Sequence, residues 1–282
     1  MPSLYVTDLD GTLIRDDLTL SPFSRARLTE LLNDGAAITI ATARSIVSLT
    51  AILGDLPFRL PIVEFNGSYL SDYHTRRHLV VNAIEPDVAT ETYRRVRAAG
   101  MRPFISAFDG ANDLLFYREI SNPGENAYLR ERQSFSDRRL RQVPDLEPCL
   151  SHKVICLTMI DREERVRAVQ DDLQGVVGNR LVYTIYAYRY FPGWHFFTVH
   201  DAKATKDQGI RALQERWGFQ GWPLVVFGDD VNDMPMFRIA SRAVAVRNAI
   251  PEVKALAHEV IGTNEEDSVL RWISADHAKG RG

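Results

Sequence analysis

The chain has 282 residues, 45% of them apolar and 25% charged. That is ordinary globular chemistry and excludes a disordered chain, a fibre and a disulfide-stapled miniprotein. Lys and Arg number 34 against 37 Asp and Glu, a net charge of −3, and so mild an acidic balance speaks against nucleic acid as an obligate partner.

The first elements alternate. Residues 4–7 read as a short strand that ends on Asp8, and Gly11 punctuates the turn after it. Ser21 and Pro22 form an N-cap signal with proline at the first helical position, and Gly35 supplies the stop. Residues 36–43 are almost continuously apolar, as expected of a strand buried on both faces. A helix over 45–53 and a strand over 61–65 complete a β-α-β-α-β series, the pattern of an open parallel α/β sheet.

The middle of the chain mixes its elements. A helix over 86–99 precedes strands at 102–108 and 114–117, a polar helix at 125–132, a strand at 153–159, a helix from Asp161 and a strand at 181–186. This reads as a separate α+β unit. Alternation then returns, with strands at 223–227, 243–246 and 259–261, and the polar tail after Ser274 is expected to fray. The aromatic run Tyr183, Tyr186, Tyr188, Tyr190, Phe191, Trp194, Phe196 and Phe197 reads as strand, hinge and packing rather than a carbohydrate platform. Cys149 and Cys156 lack a CxxC spacing and read as packing thiols. No apolar run approaches the ~20 residues of a membrane span. Acidic residues arrive by Asp8, where the apolar region of a signal peptide would continue. The expectation is a complete cytoplasmic protein without a membrane partner.

Four polar sites follow buried strands, the position where open α/β sheets hold ligands. The first is Asp8-Leu9-Asp10-Gly11-Thr12-Leu13. A strand-end carboxylate is a competent nucleophile toward phosphorus, and a second one nearby suits general acid and base work. The next is Thr42 and Arg44 after the second strand, a hydroxyl and a guanidinium suited to phosphate oxygens. Lys206 opens a helix as a point charge. The last is Gly228-Asp229-Asp230-Val231-Asn232-Asp233, where three carboxylates crowd a strand end and call for a cation. Hard oxygen donors of this kind suit Mg²⁺. The seven histidines are not expected to ligate a metal.

Together these motifs resemble the haloacid dehalogenase superfamily of phosphohydrolases, and more narrowly its Cof-type sugar-phosphate phosphatases with an inserted α/β cap. The resemblance covers nearly the whole chain. It implies a Rossmann-like core from residues 1–82 and 187–282 and a cap from 83–186, whose loops choose the substrate. Asp8 matches the nucleophile, Asp10 the acid and base, Thr42, Lys206 and Asn232 the phosphate-binding positions, and Asp8, Asp10 (by its carbonyl), Asp229 and Asp233 the Mg²⁺ site. Arg44 and Asn66, the latter in Glu64-Phe65-Asn66-Gly67, match positions that structure the site or meet substrate, and Asn264-Glu265-Glu266-Asp267 matches the C-terminal acidic turn. Ala43, Asp207 and Ser268 depart from the family's usual glycines. The implied activity is Mg²⁺-dependent hydrolysis of a small phosphate ester through an aspartyl phosphate. A phosphosugar mutase, a disaccharide-phosphate phosphatase and a phosphate-binding or metal-binding sensor without turnover are the alternatives. Oligomeric state is not legible.

Overall fold

The computed structural model describes residues 2–134, 136–189 and 191–280. The chain forms two compact units, one running to Val81 and resuming at Thr205, the other spanning Asn82–Ala204.

The first segment of the first unit holds β1 (Leu4–Thr7), α1 (Pro22–Asn33), β2 (Ala37–Ile40), α2 (Ile46–Leu53), β3 (Ile62–Glu64), β4 (Tyr69–Ser71) and β5 (His78–Val81). Ser21 caps α1 by accepting the Ser24 N–H, with Pro22 in the first turn, as the sequence signal implies. The run at 36–43 keeps strand geometry only to Ile40, after which the chain turns and Ala41 makes a single parallel bridge to Val63. The expected third strand is β3, yet it pairs antiparallel with β4, which pairs antiparallel with β5. A small three-stranded sheet thus flanks the parallel one.

The second unit comprises α3 (Pro86–Ala98), β6 (Phe104–Phe108), β7 (Asp113–Tyr117), α4 (Pro123–Ser134), β8 (Leu140–Gln142), β9 (Lys153–Asp161), α5 (Glu163–Val176), β10 (Leu181–Ala187) and β11 (His195–Asp201). Its strands lie in the order β10-β11-β9-β6-β7-β8. Val88, Val96, Val166 and Leu173 of α3 and α5 pack in one apolar cluster with Phe197. Tyr128 of α4 packs in another with Phe104, Tyr188, Trp194 and Phe196.

The boundary expected at residue 187 is corrected by β11. That strand pairs antiparallel with β9 and β10, so the second unit continues to Ala204. The aromatic run is the cause: its alternating residues form a hairpin, with the Tyr188 N–H donating to the Trp194 carbonyl at the turn. Tyr190 lies outside the described residues.

The chain returns through α6 (Lys206–Arg216), β12 (Leu224–Gly228), α7 (Met234–Ile239), β13 (Arg242–Ala245), α8 (Pro251–Leu256), β14 (Glu259–Val260) and α9 (Ser268–Gly280). The expected fraying after Ser274 is corrected too. Helix α9 continues to Gly280, and Asp276 accepts from the Tyr5 hydroxyl at 2.9 Å. The main sheet has the order β14-β13-β12-β1-β2, with every pairing parallel. Strand β1 therefore sits between β2 and β12, with Tyr5 opposite both Ile38 and Val225. Sequence order reverses there, and such a switch point opens a crevice at the carboxyl ends of the strands. The fold is α/β, a Rossmann-like parallel sheet carrying an α+β insertion. No helix among the described residues is long and apolar enough to cross a membrane.

Candidate active site

Strands β1 and β12 end side by side, and each delivers a carboxylate. Asp8 follows β1, its N–H held by the Phe227 carbonyl at 2.9 Å. Asp229 follows β12. Asp233 returns to the same point through the short turn Val231–Asp233, and oxygens of Asp8, Asp229 and Asp233 lie within 4.8 Å of one another. All three residues are buried. Lys206, at the start of α6 and 1% exposed, reaches into this group. Its Nζ lies 2.5 Å from Asp8 Oδ1 and 2.6 Å from Asp233 Oδ1.

One ammonium among three buried carboxylates leaves negative charge in excess. Burial pushes the Asp8 carboxyl well above its ordinary range, Asp233 and Asp229 add to that push, and Lys206 opposes it. Burial works against the Lys206 charge, but Asp233 and Asp8 outweigh it and raise the lysine pKa, so the ammonium stays protonated. The donor set is made only of hard oxygens, and the charge it lacks is positive. Both properties fit a divalent cation of the Mg²⁺ type. Asp233 also has local duties: its Oδ2 accepts the N–H groups of Asp229 and Asp230 at 2.8 and 3.1 Å. Gly228 is required for that turn, because a Cβ there would lie 2.6 Å from the Asp233 carboxylate.

The remaining expected residues form smaller sets. Arg44 grips Asp10 with both arms of its fork, Nε to Oδ2 at 2.7 Å and Nη2 to Oδ1 at 2.8 Å. A third nitrogen, Nη1, donates to Ser48 on α2 at 3.1 Å. Thr42 is buried, and its Oγ1 accepts the Arg44 N–H at 3.1 Å. Asn232 donates its amide to Asn66 Oδ1 at 3.0 Å. The Asn66 N–H in turn donates to the Thr42 carbonyl at 2.9 Å, so these loops are stitched together. Gly67 has φ +106°, and a Cβ there would lie 2.3 Å from the Thr205 carbonyl oxygen. Glycine at 67 thus lets the Asn66 loop press against the backbone that precedes Lys206.

Sequence reasoning assigned no role to three contributors. Thr12 joins the two acidic motifs by donating to Asp229 Oδ1 at 3.2 Å. Asn248 follows β13 and donates to the Gly11 carbonyl at 2.7 Å, steadying the nucleophile turn. It also accepts the Asn264 N–H at 3.2 Å, which ties in the C-terminal acidic turn. A polar residue just past a buried strand was the available signal for Asn248. Glu64, fully buried at the end of β3, is the third.

A sequence profile of the haloacid dehalogenase-like hydrolases matches residues 5–273. The chain belongs to that family. This haloacid dehalogenase-like hydrolase is 26% identical over 280 residues to the 5-amino-6-(5-phospho-D-ribitylamino)uracil phosphatase YitU of Bacillus subtilis, covering 96% of each chain. It is 26% identical over 279 residues to the pyridoxal phosphate phosphatase YbhA of Escherichia coli, covering 94% of this chain and 95% of that one. Among solved structures, TM0651 from Thermotoga maritima superposes with a TM-score of 0.76 at 27% identity, over 98% of this chain and 97% of the other. A haloacid dehalogenase-like hydrolase from B. subtilis shares the fold with a TM-score of 0.80 at 18% identity, over 96% and 99% of the two chains. The hydrolase is an enzyme of the phosphatase type.

Proposed function

We propose that this chain is a Mg²⁺-dependent phosphohydrolase of small phosphorylated metabolites, sugar phosphates among them, that works through an aspartyl phosphate on Asp8. The observation that carries the reading is Lys206 seated between Asp8 and Asp233, with Asp229 alongside, at the carboxyl ends of β1 and β12. The names of the relatives, a phosphoribitylamino-uracil phosphatase and a pyridoxal phosphate phosphatase, support small phosphate esters as the substrate class. The sugar-phosphate part rests on the resemblance of the motifs alone.

Asp8, Asp229, Asp233 and the Asp10 carbonyl would hold Mg²⁺. When bound it supplies the positive charge that lets an anionic ester approach a carboxylate. Asp8 attacks phosphorus as the ester P–O bond breaks, leaving phosphate on its carboxylate. Asp10 gives the departing oxygen its proton. Protonating Asp10 sets an O–H against one Arg44 N–H, so that contact gives way as the acid forms, and the other holds the side chain in place. Asp10 then takes a proton from the water that attacks the aspartyl phosphate, which restores Asp8 and frees phosphate. Thr42 and Lys206 neutralise the transferring oxygens, and Asn232, oriented by Asn66, positions the ester. Phosphoryl transfer depends mostly on positioning and charge stabilisation, both of which these residues supply.

Hydrolysis of p-nitrophenyl phosphate with Mg²⁺ and with EDTA tests the reading. Turnover that needs the metal is expected. Tight phosphate binding without turnover would instead mark a sensor and contradict the proposal.

A further inference from the structure

Glu64 is a fully buried carboxylate outside the acidic cluster. One of its oxygens, Oε2, accepts the N–H of Ile46, the first residue of α2, and the other accepts the Ser71 hydroxyl. His78 Nδ1 lies 2.7 Å from Ser71 Oγ and 3.3 Å from Glu64 Oε1. Ser71 has one hydroxyl hydrogen. Given to Glu64, it leaves Ser71 to accept from Nδ1, so the proton order runs His78 Nδ1–H to Ser71, then Ser71 O–H to Glu64. The His78 ring stacks on Tyr69 with centroids 3.8 Å apart and planes 1° apart. A three-stranded sheet thus fixes one carboxylate in position, and that carboxylate holds the start of a helix in the parallel half of the unit.

The residues just before that helix are Thr42 and Arg44. The same two segments are zipped by Thr42 N–H to the Val63 carbonyl at 2.9 Å, Asn66 N–H to Thr42 at 2.9 Å and Phe65 N–H to Arg44 at 3.2 Å. Glu64 adds a side-chain clasp between them, and it falls where the turn passes into α2. Ser48, which receives Arg44 Nη1, lies on the first turns of α2 as well.

We infer that Glu64 is a positioning residue: held by Ser71 and His78, it anchors Ile46 and so sets the Arg44 fork that orients Asp10. The inference rests on Asp10 being the acid and base of the proposed reaction. Asp10 must protonate an alkoxide, whereas p-nitrophenolate leaves without that help. A displaced Arg44 therefore slows an alkyl phosphate more than an aryl phosphate. General loss of folded enzyme slows both equally.

The test compares Glu64→Leu and Glu64→Gln with the native chain on glycerol phosphate and on p-nitrophenyl phosphate. The expected result for Glu64→Leu is an alkyl-to-aryl ratio of kcat/KM reduced by about tenfold. Glutamine keeps one acceptor for the Ile46 N–H and can reverse the Ser71–His78 bond order, so Glu64→Gln is expected to stay within about threefold of native. Amide hydrogen exchange on the same proteins, without substrate, is expected to show Ile46 exchanging at least about tenfold faster in Glu64→Leu, because its acceptor is gone. An unchanged ratio in an active Glu64→Leu enzyme, or native protection of Ile46 in that variant, overturns the inference. If Glu64→Leu does not fold, a reduced ratio in Glu64→Gln with native Ile46 protection overturns it as well. A native chain that hydrolyses neither ester defeats the proposed function instead, and the exchange at Ile46 still decides whether Glu64 holds the helix.

Discussion

Lys206 shows how a single residue ties folding to chemistry. Its ammonium bridges two buried carboxylates, Asp8 and Asp233. Removing one partner of a buried ion pair leaves uncompensated charge and costs about 3–5 kcal/mol. Lys206→Met is therefore expected to lose stability of that order in urea denaturation without added metal, and to recover part of it in Mg²⁺. A variant as stable as the native chain would mean that the lysine charge is not compensated as the geometry indicates. Asp8, Asp10, Thr42, Asp229, Asn232 and Asp233 stand out in sequence as candidates because a polar side chain just past a buried strand has few structural reasons to be there, and Lys206 stands out only by its place before the acidic motif. Their pairings do not. Arg44 meets Asp10 across 34 positions of sequence, and nothing local marks a guanidinium for that carboxylate rather than for phosphate. Glu64 was hidden for a different reason: its partners lie on three separate elements, and a lone Glu at a strand end reads as a solvated side chain.

At the scale of elements, the strands buried on both faces were the legible ones. The runs that became β1, β2 and β12 are short and apolar and are bounded by clear turn signals. Strands β4 and β5 were missed because each is a few residues long and carries polar residues such as Ser71 and His78. Strand β11 was missed as a strand because its aromatics resembled hinge packing, and its pairing partners are set by tertiary structure alone. That strand carries His200, which is fully buried beside Cys156, with Nε2 3.5 Å from Sγ. Burial lowers the His200 pKa to about 4, with a backbone hydrogen bond to Ile155 opposing it, and the same burial pushes the Cys156 thiol up to about 12. The pair is thus neutral packing, not a nucleophile and base. Protonation of His200 favours the unfolded chain, where histidine titrates near ~6.5. Its contribution to stability is therefore complete above that pH and is lost as pH falls from about 6.5 toward 4, by roughly 3 kcal/mol. Denaturation at pH 7 and pH 4.5 should show this loss in the native chain and a smaller one in His200→Asn. Equal losses in both would assign the acid sensitivity to other groups.

Across the whole molecule, the order of the motifs carried more information than any one of them. Asp8 and Thr42 precede the α+β segment, and Lys206, Asp229 and Asp233 follow it. One site built from both ends requires the ends to fold together, and β1 lying directly between β2 and β12 meets that requirement. The N-terminal edge of the second unit falls at Asn82, beside the expected residue 83. The C-terminal edge does not fall where expected, because β11 continues the aromatic run of the second unit up to the residues that lead into Lys206. The mild net charge of −3 likewise conceals a buried group of three carboxylates on one unit. The proposed reaction depends on Asp8 as the residue that takes up phosphate. The decisive measurement is the rate of p-nitrophenyl phosphate hydrolysis in Mg²⁺ by Asp8→Asn beside the native chain, with circular dichroism to confirm a matched fold. Loss of turnover by more than about 10³-fold is expected, since an amide is no nucleophile toward phosphorus. A folded Asp8→Asn protein that retains appreciable phosphatase activity would contradict the account.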